Sequence, residues 1–464
     1  MNKIPVIAIY DIGRTNKKFF LFDEQYKIVY ERTVQLTDTV DEDADGCEDI
    51  EGLRRNIFDS LKEALANEQF CIKAINISAY GASFVYIDEH GKSLTPLYSY
   101  LKTYPTLLFR QFYDTYGGEI NFSHHTASPV LGSLNSGMQL YRIKYEQPLI
   151  FSNIKYALHL PQYISYLLTG VAVSDITSIG CHTNLWNFEK SEYHHWVNEE
   201  HVIEKLAPIV EADKINTTTL EDNSYAVGIG LHDSSAALIP YLTNFHEPFI
   251  LISTGTWCIS LNPFNNTPLT THELGNDCLC FLSFKGHPVK ASRLFAGYEH
   301  EVQVKRIAQH FGSNTSNYKT ILFDLAIVEK LQLKPNHSYE FDNLQSSVFA
   351  QRNLQDFSTE VEAYHQLMLD IVQQQSISTR FIVEGDLTKR IFVDGGFSNN
   401  NLYMNLLAIN FPEMKVFAAS MAQATAVGAA LAIHNSWNSR AIPNDIIELK
   451  YFASMSNQIT GKII

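Results

Sequence analysis

The sequence predicts an α/β protein built from two similar halves that face each other across a cleft. Three observations carry this. Apolar strand-like runs alternate with amphipathic helical stretches along the chain. A strand–turn–strand unit at the N-terminus recurs in mid-chain, with 242 residues between the turn glycines Gly13 and Gly255. The length of 464 residues, 45% hydrophobic and 18% charged, supplies cores for about two to four domains and excludes a disordered or collagen-like polymer.

The elements follow in order. Val6–Tyr10 reads as a strand, Asp11-Ile12-Gly13-Arg14-Thr15 as a turn, and Lys18–Phe22 as the returning strand. Ile50, Leu53, Ile57, Leu61 and Leu65 recur at three- and four-residue steps, so Glu48–Glu68 is an amphipathic helix. Cys71–Ser78 and Ser83–Asp88 read as strands. Asn244-Phe245-His246-Glu247-Pro248 marks a boundary, giving halves of 1–244 and 245–464. The second half opens with Phe249–Ile252, the turn Ser253-Thr254-Gly255-Thr256-Trp257 and Cys258–Leu261. Helices are expected at Glu360–Val372 and Asn400–Asn410, flanking the strand Ile391-Phe392-Val393. The small-residue helix Ala424–Ala430 permits close approach of a neighbouring backbone.

Four places carry candidate chemistry. Gly13 and Thr15 offer backbone N–H groups and a hydroxyl to phosphate oxygens, and Asp11, at the end of a buried strand, is placed to hold a Mg²⁺ ion through water. Gly255 and Thr256 repeat this grammar, so two hairpins can close on one polyphosphate from both sides of a cleft. Asp394-Gly395-Gly396-Phe397-Ser398-Asn399-Asn400 stands between a strand and a helix, where paired glycines admit a planar ring or a phosphate. Asp233 follows a small apolar strand just before the boundary. It is either a helix cap or a carboxylate that takes the proton of a substrate hydroxyl as a terminal phosphoryl group transfers. Gly228 and Gly230 lack the third glycine of a dinucleotide fingerprint. Asp41-Glu42-Asp43-Ala44-Asp45-Gly46 copies half of a calcium loop, but position twelve is Gly52 instead of Glu, so a solvated acidic loop is expected.

A net charge of −15, from 35 basic and 50 acidic residues, argues against nucleic-acid or anionic-membrane partners. Six cysteines without a Cys-x-x-Cys pair read as reduced thiols. The short apolar N-terminal run meets Asp11 at once, and no later stretch approaches the roughly 18 apolar residues of a membrane span. A cytoplasmic protein is expected.

Asp11-Ile-Gly-Arg-Thr15, His232-Asp233, Ser253-Thr-Gly-Thr-Trp257 and Gly395-Gly-Phe-Ser-Asn-Asn400, in this order and spacing, resemble the FGGY carbohydrate kinases, in motifs closest to rhamnulokinase and fuculokinase. Pro161–Gly170 is similar to a helix ending of their first domain. The resemblance implies two actin-like ATPase (ribonuclease H-like) domains flanking a cleft, the first binding sugar and the second nucleotide. It implies ATP and Mg²⁺ as cosubstrate and cofactor, a ketose or related polyol as substrate, and a monomer or homodimer. Carried over, Asp233 matches the catalytic base; Asp11, Gly13 and Thr15 the first phosphate motif; Gly255 and Thr256 the second. Gly395, Gly396 and Asn400 match the nucleoside motif, and Gly81, Ser83, His232 and Asp233 the sugar site. Arg14 replaces a small hydroxyl residue, and Ser83 stands where an acidic sugar ligand is usual. The alternative is a sugar-responsive regulatory protein on the same fold with little turnover.

Overall fold

In the computed structural model, which describes residues 3–220, 223–332, 344–385, 387–421 and 423–453, both predicted hairpins form. Strand β1 (Ile4–Ile12) pairs antiparallel with β2 (Lys17–Asp23), which pairs with β3 (Ile28–Val34). Helix α1 (Ile50–Ala66) is capped by Asp49, whose Oδ1 accepts from Gly52 N at 2.9 Å. The chain then enters β4 (Phe70–Ala79), parallel to β1. Strands β5 (Ile215–Leu220), β6 (Asn223–Gly228) and β7 (Leu231–His232) complete a sheet of order β5-β6-β4-β1-β2-β3, with β7 beside β4. Helix α2 (Asp233–Asn244) leaves this sheet for the second one.

The second sheet repeats the arrangement. Its strands are β8 (Phe249–Thr254), β9 (Cys258–Asn262), β10 (Cys278–Leu282), β11 (Pro288–Leu294), β12 (Arg390–Gly395), β13 (Lys415–Ser420) and β14 (Glu448–Phe452), in the order β10-β11-β9-β8-β12-β13-β14. In each sheet an N-terminal hairpin is continued by a parallel strand on its inner edge: β4 beside β1, and β12 beside β8. The ends of these parallel strands hold the candidate residues, as is general where ligands bind at the carboxyl ends of strands in α/β sheets.

Three further helices of the second half bear on the site: α3 (Glu360–Arg380), α4 (Asn401–Asn410) and α5 (Ala424–Ala432). Helix α3 runs eight residues beyond the expected Val372 because glutamines, not aliphatic residues, continue its buried face. Gln374 Nε2 donates to the Leu344 and Ser346 carbonyls at 2.7 and 2.8 Å, and Gln375 Nε2 to Ser260 Oγ at 3.0 Å.

Two helices lie between the sheets. Ala236 and Ile239 of α2 pack with Ile7, Ile9 and Ala74 of the first sheet, while Leu238 and Tyr241 pack with Phe249, Leu251 and Phe392 of the second. Ala426, Ala429 and Ala430 of α5 join the first-sheet side, and Asn76 Nδ2 donates to the Ala429 carbonyl at 2.8 Å. The backbones of α2 and α5 touch: a Cβ on Gly428 would stand 1.8 Å from the Ala236 carbonyl oxygen.

Between β4 and β5 the chain forms a satellite core rich in aromatic rings, including Phe84, Phe112, Tyr113, Phe122, Tyr141 and Trp196. Its tip reaches the second half, where His124 Nδ1 and the Leu269 carbonyl lie 2.9 Å apart and Cys280 N donates to the Ala127 carbonyl at 2.8 Å. The acidic loop differs from expectation. Asp41 is buried, and Lys102 Nζ sits 2.5, 2.8 and 3.5 Å from carboxylate oxygens of Asp41, Asp43 and Asp45. An ammonium from 57 residues or more along the chain thus occupies the centre of the carboxylate cluster, a partner that the loop's own sequence does not show. Burial pushes the Asp41 carboxyl up, but hydrogen bonds from Lys102 and from the Asp45 and Asp43 backbone outweigh it, and the net shift is downward. No helix among the described residues is long and apolar enough to cross a membrane.

Candidate active site

The first hairpin turn is braced from inside. Lys17 Nζ donates to the Gly13 and Arg14 carbonyls, both at 2.9 Å, and is ion-paired with buried Glu48, which also accepts from the Tyr80 hydroxyl. Gly13 N donates to the Asn16 carbonyl at 2.9 Å, and Thr15 stands exposed at the tip. Arg14 turns aside into a two-pronged pair with Asp38, at 2.8 and 2.6 Å. Asp11 closes β1 opposite Ser78 and Lys18. Burial and then the nearby Asp233 charge lift its carboxyl to about 6, against the Thr425 hydroxyl and Lys18. A buried carboxylate raised further by a neighbouring carboxylate offers oxygen ligands to a hydrated divalent cation, which would relieve that repulsion.

Asp233 opens α2, so it is the first helical residue rather than the one before it. Its Oδ1 accepts from Ser234 N at 2.6 Å and lies 3.2 Å from His232 Nε2, and 33% of its side chain remains exposed. Loss of surrounding water lifts the carboxyl to about 6, opposed by Ser234. Such a carboxylate is ionised at neutral pH yet basic enough to accept a proton.

Around it lies a nest of neutral imidazoles. His232 N donates to Thr177 Oγ1 at 3.0 Å, and that hydroxyl donates to Asp175. His232 Nε2 is 3.4 Å from Cys181 Sγ. Burial pushes His232 down to about 4, and His159 and His182 to about 3, with His232 adding to both and Arg293 to His182. Gly81 has a steric role: a Cβ there would meet the His232 ring at 2.8 Å. Ser83 Oγ, Ser78 Oγ, His232 Nδ1 and His182 Nδ1 are buried with no hydrogen-bond partner. Sequence reasoning missed Thr177, Cys181 and His182, which share one short stretch, and His159, because they meet His232 only across about 50 to 70 residues of chain and follow no motif.

Across the cleft, Thr254, Gly255, Gly396 and Asn400 line a cavity of about 540 Å³ with Gly297, His300, Tyr318 and Lys319. Thr254 Oγ1 donates to the Asp394 carbonyl at 2.6 Å and accepts from Phe397 N at 2.9 Å, locking the β8 and β12 ends together. Gly395 stands one residue behind the lining at φ 87°, where a Cβ would fall 2.0 Å from the Thr254 carbonyl oxygen. Gly396 is open by comparison, its nearest such contact being 4.0 Å. Asn400 spends its side chain on the protein: Oδ1 caps α4 by accepting from Tyr403 N at 3.0 Å, and Nδ2 donates to Tyr364 Oη at 2.7 Å. Thr256 is exposed, and its carbonyl accepts from Tyr298 N at 3.1 Å. Gly297 lets the first turn of the helix Ala296–Phe311 lie against the Gly255 carbonyl, a feature that periodicity could not reveal.

The repeated sheets, with two hairpins and a cleft between them, are the actin-like ATPase fold. A carbohydrate kinase from Novosphingobium aromaticivorans matches at TM-score 0.79 and 22% identity, over 98% of this chain and 95% of that one. Xylulose kinase from Lactobacillus acidophilus matches at TM-score 0.75 and 16% identity, over 99% and 96%. Residues 6–239 match the FGGY family of carbohydrate kinases, N-terminal domain, and residues 246–441 match the carbohydrate kinase FGGY C-terminal domain. The chain belongs to the FGGY family of carbohydrate kinases. A rhamnulokinase from Mannheimia succiniciproducens is 25% identical over 176 residues, 37% of this chain and 36% of that protein. The chain spans about a third to a half of the length of the curated relatives it matches.

Proposed function

We propose that this protein transfers the terminal phosphoryl group of ATP to a hydroxyl of a ketose, rhamnulose- or fuculose-like, or of a related polyol. The observation that carries the reading is Asp233: a carboxylate raised to about 6 at the start of α2, the helix that runs from the first sheet to the second, whose Thr254–Gly255 hairpin lines a cavity of its own. The sugar oxygen attacks phosphorus while Asp233 accepts the hydroxyl proton, and ADP leaves. The two hairpins hold the polyphosphate, Gly396 admits the nucleoside, and Asp11 holds Mg²⁺ through water, which neutralises phosphate charge when bound. We assign residues 1–244 to sugar and 245–464 to nucleotide, in a cytoplasmic protein.

Apart from Asp233, recognition of the sugar falls to hydrogen bonds without a full charge, since Ser83 is a hydroxyl and the three imidazoles are neutral. Turnover with ATP and Mg²⁺ across a panel of ketoses, aldoses and polyols tests the reading directly. Ser83→Asp adds a carboxylate whose hydrogen bonds contribute about 1.5–3 kcal/mol against about 1 for a hydroxyl, so it should reorder the sugars by tenfold or more in kcat/KM while the ATP requirement stands. An unchanged order would put Ser83 outside the pocket. The regulatory reading has its own support in Arg14, drawn away to Asp38. It predicts sugar binding by calorimetry without turnover on any member of the panel.

A further inference from the structure

Phosphoryl transfer concentrates negative charge on the migrating group, and Asp11 and Asp233 add more, so a fixed side-chain cation would serve there beside the divalent ion proposed at Asp11. The basic residues of the first hairpin are committed elsewhere: Lys17 to Glu48 and two carbonyls, Arg14 to Asp38, and Lys18 to Gln423 Oε1 at 2.9 Å. The second half supplies a different one. Arg293, on β11, grips Asp277 with Nε at 3.1 Å and Nη2 at 2.6 Å, and its guanidinium carbon lies 5.4 Å from the ring centre of Trp257, which closes the second hairpin. No hydrogen bond among the described residues uses Nη1.

The register turns this group toward the segment that carries Cys181 and His182. Side chains alternate faces along paired strands, so Asp277 and Arg293 share the face of Leu279 and Ala291, which pack on Cys181. Cys181 Sγ is 3.4 Å from His232 Nε2, itself 3.2 Å from Asp233 Oδ1. The guanidinium is near enough to bias both Cys181 and His182 electrostatically. His182 is held at φ 37° with Nδ1 buried and unpartnered, the kind of local strain that collects at working sites.

We propose that Arg293 reaches the transferred phosphoryl group from the second half, through the free Nη1 side of its fork, with Asp277 and Trp257 as positioning residues. This rests on the phosphotransfer reading above. As the bond from the sugar oxygen to phosphorus forms, the bond from phosphorus to the bridging oxygen breaks and its electron pair leaves with ADP. The hydroxyl proton passes to Asp233. Arg293 enters no bond change; it donates hydrogen bonds to oxygens whose charge grows in the transition state, and its planar fork suits them better than an ammonium does.

The test uses the full chain. Calorimetric titration of wild type and Arg293→Gln with Mg·ATP and with Mg·ADP should show ATP affinity down about tenfold or more and ADP affinity within about twofold, because only ATP carries the group that Arg293 meets. On the best sugar, kcat should fall about 10² to 10³, the usual worth of one aimed donor. Asp277→Asn should lose part of kcat and keep ADP binding. A folded Arg293→Gln with the wild-type ratio of ATP to ADP affinity and wild-type kcat overturns the assignment while the kinase reading stands. A wild type without turnover on any sugar, but with the ATP-selective loss in Arg293→Gln, removes the kinase reading and keeps the contact. Should Arg293→Gln not fold, Arg293→Lys retains the charge without the fork. A tenfold loss of kcat is expected there, and unchanged kcat together with an unchanged affinity ratio overturns the proposal.

Discussion

Asp233→Asn is expected to lower kcat by about 10² to 10⁴, the contribution of a positioned general base, with sugar and ATP still bound. Asn keeps the size of Asp, and its carbonyl oxygen can still accept from Ser234 N, the bond that Asp233 Oδ1 makes at 2.6 Å. It cannot take the hydroxyl proton. The loss corresponds to about 3 to 5 kcal/mol of barrier and should appear in kcat, not in binding titrations. The sign with pH is fixed by the direction of the shift: burial raises the Asp233 carboxyl to about 6, so wild-type kcat/KM falls as pH drops through 6 and the base becomes protonated. In Asp233→Asn that inflection should disappear, leaving whatever Asp11, also raised to about 6, contributes. If Asp233 only shapes the helix start, the two proteins will run at nearly equal rates with equal melting temperatures.

The largest structural effect is expected at Gly428. A methyl group there would sit 1.8 Å from the Ala236 carbonyl oxygen, and backbone cannot swing aside as a long side chain can. Gly428→Ala gains about 1 kcal/mol of helix propensity, yet α2 and α5 must separate. Overpacking of this kind costs about 1–3 kcal/mol, sometimes more. The melting temperature should therefore fall although the substitution favours a helix. Gly46→Ala, where a Cβ meets nothing within 4 Å, is the matched control and should melt close to wild type. Equal melting of the three proteins would mean that the helices slide apart without cost.

Local chemistry made both hairpins legible. Their apolar strands are bracketed by glycine and hydroxyl residues, and β1–β2 and β8–β9 form where the grammar repeats. Asp233 was legible as a residue between a strand and a helix, but the role proposed for it came from likeness to a family, since a cap and a base look alike in sequence. What stayed hidden depends on distant pairings. Lys102 neutralises a loop that reads as solvated, because nothing near Asp41 announces it. Gln374 and Gln375 carry α3 past its last aliphatic residue by hydrogen bonds that hydrophobic periodicity cannot register. His159, His182 and His232 converge only after the aromatic satellite folds between them, and Arg293 meets the phosphate-side hairpin through sheet register alone.

Helix α2 is solvated on neither of its two main faces, and that bears on how the molecule comes apart. Chains of this length commonly melt lobe by lobe, since each lobe owns a core. Here Leu238 and Tyr241, both fully buried, belong to the core of one sheet, while Ala236 and Ile239 of the same helix belong to the other. Melting the second lobe would strand Leu238 and Tyr241 in water at about 1.5–3 kcal/mol for a side chain of that size, and would also pull α5 off the first sheet. Unfolding should therefore be cooperative across the cleft: scanning calorimetry is expected to record one endotherm, with two separated peaks as the contrary result. The helix that presents Asp233 would then be ordered only when both lobes are.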